Sequence, residues 1–236
     1  MIRSFLILTA CVSAIPMSAH AADAPKISEP MVFDLVRPLG AKRGELEVNT
    51  LGQRNHTKGY SPLEWAPEIE YAVADGLAVE LELPLEGRHV TDYKLGLQGT
   101  LGTFARGRAV HGIQYLGLHS RELNRWESSL LYILGARYSK KWSTLSMVGV
   151  GDVAFSGPSD RSLLLNHSTF YDVSKSTTLG VEINFRDAQK RSTLLMPQVQ
   201  HSLSKNLQVQ AGLGAIQESG EKWRPRLGLR VIRQLK

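Results

Sequence analysis

Four glutamates recur at alternate positions around one turn, in the stretch PEIEYAVADGLAVELELPL from Pro67 to Leu85. The turn is Asp75-Gly76, and apolar residues stand between the glutamates. Those glutamates are Glu68, Glu70, Glu80 and Glu82. Because the side chains of a β-strand alternate between its two faces, the pattern predicts a hairpin with one carboxylate face and one apolar face. Carboxylates packed this densely repel one another unless cations or water lie between them.

Charged residues at matching positions extend this carboxylate face to other predicted strands. The last strand carries Arg226 and Arg230 opposite its apolar face. If the sheet closes on itself, this strand pairs with the first one, and its arginines come close to Glu45 and Glu47. We therefore expect Glu47 and Arg230 to be energetically coupled. The candidate residues for lining a lumen or pore are Glu45, Glu47, Glu68, Glu70, Glu80, Glu82, Lys94, Arg137, Glu182, Arg226 and Arg230.

Two interpretations of these charged residues stay open. In the first, they form the polar lining of a pore or the wall of a ligand-binding site. In the second, they are ion pairs that lock the closure of a barrel and fill its interior, since structural ion networks also bring charges together in this way.

About twelve segments show the two-residue alternation of β-strands, and most are about nine to eleven residues long. That length suits a tilted strand that crosses a membrane, whereas strands of soluble proteins are usually nearer five or six residues. Short turns alternate with longer polar loops along the chain, which is typical of outer-membrane barrels. Pro67 and Pro197 fall inside predicted strands, and we expect them to mark strand ends or bulges because proline cannot donate a ladder hydrogen bond.

These observations predict an all-β fold. The expected architecture is a single transmembrane antiparallel up-and-down β-barrel of about twelve strands that follows a cleaved signal peptide. Its apolar face contacts lipid and its glutamates point into a wet lumen. A soluble periplasmic β-sheet protein, which buries the same apolar face against a second layer, stays as an alternative.

The N-terminal residues have the features of an export signal. Arg3 precedes a short apolar core, and Ala19-His20-Ala21 is typical of a cleavage site. The predicted organisation is a signal peptide over residues 1–21, a periplasmic leader over residues 22–43, and an outer-membrane barrel over residues 44–236. The expected location is the outer membrane of the cell.

The single cysteine, Cys11, lies within the predicted signal. A chain cleaved after residue 21 therefore has no disulfide and no thiolate metal site. A rival interpretation exists, because Leu8-Thr9-Ala10-Cys11 resembles a lipoprotein processing box, which would make Cys11 a lipidation site.

The remaining composition argues against several classes of function. The net charge is +6, but Lys and Arg are scattered without a run longer than two, so we expect no nucleic-acid partner. The seven histidines lack the spacing of metal ligands. His119-Ser120 and His167-Ser168 are adjacent pairs, but neighbours in a strand point to opposite faces and cannot act together as nucleophile and base. We expect no catalytic site, no metal and no cofactor.

Two stretches of the sequence resemble a known family. RPLGAKRGELEVNTL (Arg37 to Leu51) and the Pro67–Leu85 hairpin are similar to the outer-membrane barrels grouped around the meta-pathway phenol-degradation (MetA-type) protein. The hairpins YDVSKSTTLGVEINF and PQVQHSLSKNLQVQAGLG show the same kind of turn and alternation. The resemblance implies a transporter-like barrel, of a kind several of whose members are encoded beside aromatic-degradation genes. It implies no catalytic residues, because the shared motifs are turns and alternation.

The expected function is that of a passive channel or transporter for small molecules, including hydrophobic or aromatic ones, with a charged lumen. The alternative is a non-conducting structural or ligand-binding barrel in the outer membrane. The expected partners are outer-membrane lipid, a small-molecule substrate that the sequence does not identify, and the periplasmic chaperones and barrel-assembly machinery.

Overall fold

The computed structural model describes residues 24–57, 61–154 and 161–236, so the predicted signal peptide and Cys11 lie outside the described residues. Within the described ranges the chain forms fourteen β-strands, and no helix there is long and apolar enough to cross a membrane. The strands are β1 (Leu46–Asn55), β2 (Glu64–Ala74), β3 (Leu77–Glu82), β4 (Leu85–Glu86), β5 (His89–Val90), β6 (Asp92–Phe104), β7 (Ala109–Ser120), β8 (Arg125–Arg137), β9 (Trp142–Ala154), β10 (Ser162–Asp172), β11 (Thr177–Asp187), β12 (Ser192–Ser204), β13 (Leu207–Glu218) and β14 (Arg224–Gln234).

The strands form one closed antiparallel barrel. Each strand from β6 to β14 pairs with the next, β14 pairs with β1, and the ring continues through β2 and β3 back to β6. The short strand β4 continues β3 beyond Leu83-Pro84 by pairing with β2, and β5 pairs with β4. The wall therefore consists of twelve strand positions. The predicted all-β class and the closed twelve-stranded barrel are confirmed.

The alternation of residue types sets the inner and outer surfaces of this wall. Leucines at outward positions are about half exposed, with Leu81 at 57 % and Leu101 at 51 %. Inward neighbours are polar and buried, as Glu80 and Gln98 show at 2 % each. Because large apolar residues cover the outside of the barrel, that surface suits a lipid environment.

The connections differ between the two ends of the barrel. Tight connections lie at one end, at Asp75-Gly76, 105–108, 138–141, 173–176 and Lys205-Asn206. Gly76 adopts a φ of 73°, a left-handed conformation that glycine tolerates because it has no Cβ. The connections at the opposite end are mostly longer. We refer to the two ends as the short-turn end and the long-loop end.

The two prolines of the predicted strands lie within strands rather than at their ends. Pro67 is the fourth residue of β2, and pairing with β3 stops next to it at Glu68. Pro197 lies in the middle of β12, where pairing with β13 stops at Leu195 and resumes at Gln198. The expectation of strand ends or bulges is wrong at both positions, because the pairing register continues unchanged through each proline. The ladder to one neighbour is interrupted instead, because proline offers no N–H.

Residues 24–43, which we call the lumen segment, run inside the barrel. The sequence predicted a leader separate from the barrel, and for these residues that prediction is corrected. Met31, Leu35 and Val36 are at most 2 % exposed. Leu35 packs in a core cluster with residues of the wall, and Met31 packs against Met196 in a second cluster. The segment carries apolar side chains that need burial, and the barrel interior supplies it.

The lumen segment enters and leaves at the short-turn end. The carbonyl oxygen of Lys26 accepts a hydrogen bond of 2.6 Å from Arg137, the last residue of β8. At the other end of the segment, the N–H of Arg43 donates to Asp75 in the first tight turn at 2.9 Å. The residues between these two anchors therefore rise into the lumen and return.

Glycines in the wall make room for the lumen segment. A Cβ at Gly96 would lie 2.6 Å from Cγ2 of Val36, and a Cβ at Gly212 would lie 2.6 Å from Cε of Met31. Any residue larger than glycine at these two wall positions would displace the side chain of the lumen segment that it meets. These wall positions are therefore matched to the segment.

Candidate functional site

The predicted glutamates form two rows across β1, β2 and β3. Glu70 lies opposite Glu47 in β1 and opposite Glu80 in β3, and Glu68 lies opposite Glu82. All five side chains are at most 10 % exposed. Directly opposite residues on one face of a sheet have Cβ atoms about 5 Å apart, so the pairing itself brings like charges together.

Arg37 of the lumen segment is the counter-charge for the first row. Its guanidinium lies 3.1 Å from a carboxylate oxygen of Glu45 and 3.5 Å from oxygens of both Glu47 and Glu70. The side chain of Arg37 is 2 % exposed, whereas that of Glu45 is 35 % exposed. Arg37 was not predicted as a site residue, because it lies in a segment that the sequence pattern placed outside the barrel.

Lys94 of β6 is the counter-charge at the other end of the rows. Its ammonium group contacts carboxylates of Asp34, Glu80 and Glu82, with 3.1 Å between Nζ and Oε1 of Glu80. Asp34 belongs to the lumen segment, so Lys94 joins the segment to the wall. The sequence predicted Lys94 as a site residue but gave no indication of Asp34.

Arg230 of β14 lies between the lumen segment and the second row. Its guanidinium is 2.9 Å from Glu68, 3.6 Å from Glu70 and 3.6 Å from Glu29. In the β1–β14 pairing, Arg230 lies opposite Leu51, and Glu47 lies opposite Gln234. The seam between the first and last strands therefore exists as predicted, but the direct ion pair of Arg230 is with Glu68.

Glu182 holds the backbone of the lumen segment. Its carboxylate accepts hydrogen bonds from the N–H groups of Met31 at 2.8 Å, Val32 at 3.0 Å and Phe33 at 2.6 Å. Glu182 itself is fully buried in β11. A carboxylate that accepts three backbone N–H groups makes charge-assisted bonds, which are stronger than neutral ones.

Uncharged side chains of the wall hold the rest of the segment. Gln114 accepts from the N–H of Val36 at 2.9 Å and donates to the carbonyl of Asp34 at 3.0 Å. Gln98 donates to the carbonyl of Arg37 at 2.5 Å. The alternation in the sequence places these glutamines on the inner face, but nothing in their spacing indicates which backbone they meet.

Two predicted site residues lie away from this network. Arg226 pairs with Glu64 at 2.5 Å and donates to Gln53 at 2.9 Å, in the part of the wall near the long-loop end. Arg137 pairs with Asp172 at 2.9 Å at the short-turn end. The structure therefore brings nine of the eleven predicted residues into contact with each other or with the lumen segment near its middle, and it leaves these two near the openings.

A cavity of about 390 Å³ lies beside the lumen segment. It is bounded by residues 31–35 of the segment and by wall residues that include Trp65, Glu68, Lys94 and Arg230. Apolar and charged groups both face it. The arrangement can bind or pass a small molecule with an apolar body and a polar group.

The histidines that sequence analysis considered for catalysis lie on the outer face. Side chains of His167 and Ser168 point to opposite sides of β10, with His167 exposed and Ser168 fully buried. His167 hydrogen-bonds instead to Ser146 on β9 at 2.8 Å and to Thr169 at 3.2 Å. Among the described residues, these contacts of His167 are to hydroxyl groups.

Comparisons with known proteins agree with this architecture. Residues 25–98, about a third of the chain, match a family model described as HAEPLYID-like. That stretch contains most of the lumen segment and the strands that carry the glutamate rows. No curated protein sequence matches the chain.

Solved structures with the same fold include outer-membrane proteins. The COG4313 outer membrane channel from Pseudomonas putida F1 is 16 % identical, with a TM-score of 0.63 over 86 % of this chain and 100 % of that one. The NanC porin is 10 % identical, with a TM-score of 0.66 over 80 % and 100 % of the two chains. The KdgM porin is 10 % identical, with a TM-score of 0.61 over 79 % and 98 %. At these identities the similarity establishes the closed barrel fold.

Proposed function

We propose that this chain is an outer-membrane barrel that lets small molecules pass passively, with the lumen segment restricting the passage. The observation that carries the proposal is the cavity of about 390 Å³ between residues 31–35 and the charged wall. The apolar outer surface supports a position in a lipid bilayer. The fold shared with proteins described as outer-membrane channels and porins supports the same function.

The proposed cargo is small and includes hydrophobic or aromatic molecules. The cavity combines apolar groups such as Met31, Leu35 and Trp65 with charged ones, which suits a compact molecule that is mostly apolar. The sequence resemblance to barrels of the meta-pathway phenol-degradation group points in the same direction. A twelve-stranded barrel is narrow, and the lumen segment narrows it further, so bulk flow of large polar solutes is not part of the proposal.

A second candidate function is a non-conducting structural or ligand-binding barrel. The observation that favours it is the extent to which the interior is filled. The lumen segment packs in two apolar clusters and is tied to the wall by Glu182, Lys94 and Arg230. If the segment never moves, the cavity is a binding pocket rather than part of a passage.

Conductance in planar lipid bilayers tests the two candidates. We expect the full-length barrel to give small but discrete conductance steps, and a variant without residues 24–39 to give steps several times larger because the lumen is opened. Neutralising Glu70 or Glu82 should lower the preference for cations, since both carboxylates face the interior. Each variant is first checked for the heat-dependent gel shift of a folded barrel.

Two results would count against passage. A folded full-length protein and a folded deletion variant that are both silent would favour the structural barrel. A mature chain that stays in solution without detergent would exclude the membrane location and favour the soluble periplasmic alternative.

A further inference from the structure

We infer that Glu68, Glu70 and Glu80 form a calcium-binding site inside the barrel. Carboxylate oxygens of these three residues lie within 4.8 Å of one another. They come from adjacent strands, because Glu70 and Glu80 are direct cross-strand partners and Glu68 lies two residues from Glu70. The site does not depend on whether molecules pass through the barrel.

The carboxylate of Glu80 lacks hydrogen-bond donors although it is buried. Glu80 is 2 % exposed, and neither of its carboxylate oxygens has a hydrogen-bond donor among the described residues. Lys94 approaches Oε1 at 3.1 Å without hydrogen-bond geometry, so its charge is nearby but neither oxygen of Glu80 accepts a hydrogen bond among the described residues. A buried carboxylate oxygen without a donor is unfavourable, and a cation bound between the carboxylates would supply its partner.

The charges around the site are also out of balance. Within 4 Å of Arg37, Lys94 and Arg230 there are eight carboxylates, which belong to Glu29, Asp34, Glu45, Glu47, Glu68, Glu70, Glu80 and Glu82. Three cations balance at most three ionised carboxylates. Because these groups are mostly shielded from water, the network must take up protons or further cations to balance its charge, and a bound metal ion is one way to do so.

A second carboxylate group nearby is already occupied by the protein. Oxygens of Asp34, Glu80 and Glu82 also lie within 4.8 Å of one another. The ammonium group of Lys94 contacts all three, so it stands where a metal ion would bind. Glu80 is shared between the two groups, and Lys94 leaves both of its carboxylate oxygens without a hydrogen bond among the described residues.

The ligand chemistry favours calcium. All three side chains offer oxygen, which hard cations such as Ca²⁺ and Mg²⁺ prefer. Ca²⁺ accepts six to eight oxygen ligands in flexible geometry, whereas Mg²⁺ demands a near-ideal octahedron and usually keeps several of its waters. Three carboxylates held by two neighbouring strands therefore suit Ca²⁺ better than Mg²⁺. Water in the lumen would complete its coordination.

Calorimetric titration of the full-length, EDTA-treated barrel with CaCl₂ in a neutral detergent tests the site. We expect one Ca²⁺ per chain and weaker binding of Mg²⁺. The Glu80→Gln variant keeps the side-chain shape but removes the charge, and we expect its calcium affinity to fall at least about tenfold. Glu70→Gln serves as a second variant if Glu80→Gln does not fold.

Glu64→Gln is the matched control. Glu64 also lies on β2 and its carboxylate pairs with Arg226, but it is outside the three-carboxylate site. We expect its calcium affinity to stay within about twofold of the wild-type value, a difference well below 1 kcal/mol. Folding of each variant is verified by its heat-dependent gel shift.

Three results would overturn the proposal. The first is a folded wild-type barrel that binds no Ca²⁺ between pH 6 and pH 8, which would mean that shared protons balance the carboxylates. The second is an unchanged affinity in folded Glu80→Gln. The third is an equal loss in Glu64→Gln, which would mean that calcium responds only to the overall charge of the lumen.

Discussion

Replacing Glu182 by glutamine should loosen the lumen segment while leaving the barrel closed. The carboxylate accepts the N–H groups of Met31, Val32 and Phe33 at 2.6–3.0 Å, and it is fully buried. Glutamine has the same shape but only one accepting oxygen and no charge. All three N–H groups then lose the charged acceptor, and hydrogen bonds to charged groups contribute about 1.5–3 kcal/mol each, against about 0.5–1.5 kcal/mol for neutral ones.

The expected loss of docking free energy follows from these values. At the lower ends of these two ranges each of the three bonds weakens by about 1 kcal/mol, which gives about 3 kcal/mol in total. Each 1.4 kcal/mol is a factor of ten in an equilibrium constant, so protection of the segment amides against hydrogen exchange should fall roughly a hundredfold. The strand amides of β11 should keep their protection, since their ladder bonds are untouched.

Hydrogen–deuterium exchange with mass spectrometry on the detergent-solubilised barrel measures this change. Peptides that cover residues 24–43 report the segment. Glu218→Gln is the control, because Glu218 pairs with Arg224 through side chains that are 40 % and 28 % exposed and neither contacts the segment. If Glu182→Gln folds and its segment amides remain as protected as in the wild type, apolar packing alone holds the segment and the role given to Glu182 is wrong.

Three further predictions concern packing, charge and the outer surface. Gly96→Ala should reduce protection of the lumen segment because its Cβ meets Val36, and adding Val36→Ala should cost less than the sum of the two single effects. Arg230→Gln should lower the free energy of unfolding in urea by about 3–5 kcal/mol because it leaves Glu68 buried without its ion pair, and the double variant with Glu68→Gln should recover part of that loss. Leu81→Arg should weaken insertion into lipid vesicles by about 2–4 kcal/mol if the residue lies near the middle of the bilayer, since Leu81 is on the outer face.

Specific results would contradict each of these. Independent, additive effects of Gly96→Ala and Val36→Ala would mean that the two residues do not compete for space. Additivity of Arg230→Gln and Glu68→Gln would remove the proposed pair, and stronger coupling of Arg230 to Glu47 than to Glu68 would restore the pairing that the sequence suggested. Normal insertion of Leu81→Arg would mean that this part of the wall does not face lipid. Leu163→Arg, at an exposed outer position next to the long-loop end of β10, is the comparison for depth.

The strands were predictable because the alternation that produces them involves residues that are close in the sequence. In β12, β13 and β14 the alternation of apolar and polar residues is visible without knowledge of neighbours, and the predicted strands lie within the observed bounds. Closure of the ring was also predictable. Without it, β1 and β14 would each leave backbone N–H and C=O groups unpaired at an exposed edge, and pairing these two strands satisfies both sets of groups. Pro67 and Pro197 were predicted less well, because a strand tolerates the missing donor when only one of its two ladders is interrupted.

The partners of the site residues were harder to predict. The glutamates of β2 and β3 were identified from spacing alone, because cross-strand neighbours follow from the Asp75-Gly76 turn. Arg230 was identified too, but its contact with Glu68 depends on the tilt and stagger of strands across the seam, which alternation does not specify. Asp34 and Arg37 were missed because their segment has no period and its only signal is a mixture of prolines, apolar residues and isolated charges.

The sequence by itself determined the strands, their two faces and the turns between them, because each of these depends on residues that are close along the chain. Only the tertiary structure decided what fills the barrel. Val36 lies over Gly96, Glu182 holds the backbone of Met31–Phe33, and Arg37 lies among glutamates in and next to two strands, although these partners are separated by as many as 151 positions in the chain. Such contacts form only when the wall closes around the segment. They depend on how side chains from distant parts of the chain fill the lumen and balance one another's charge, and neither can be read from residues that are close in sequence.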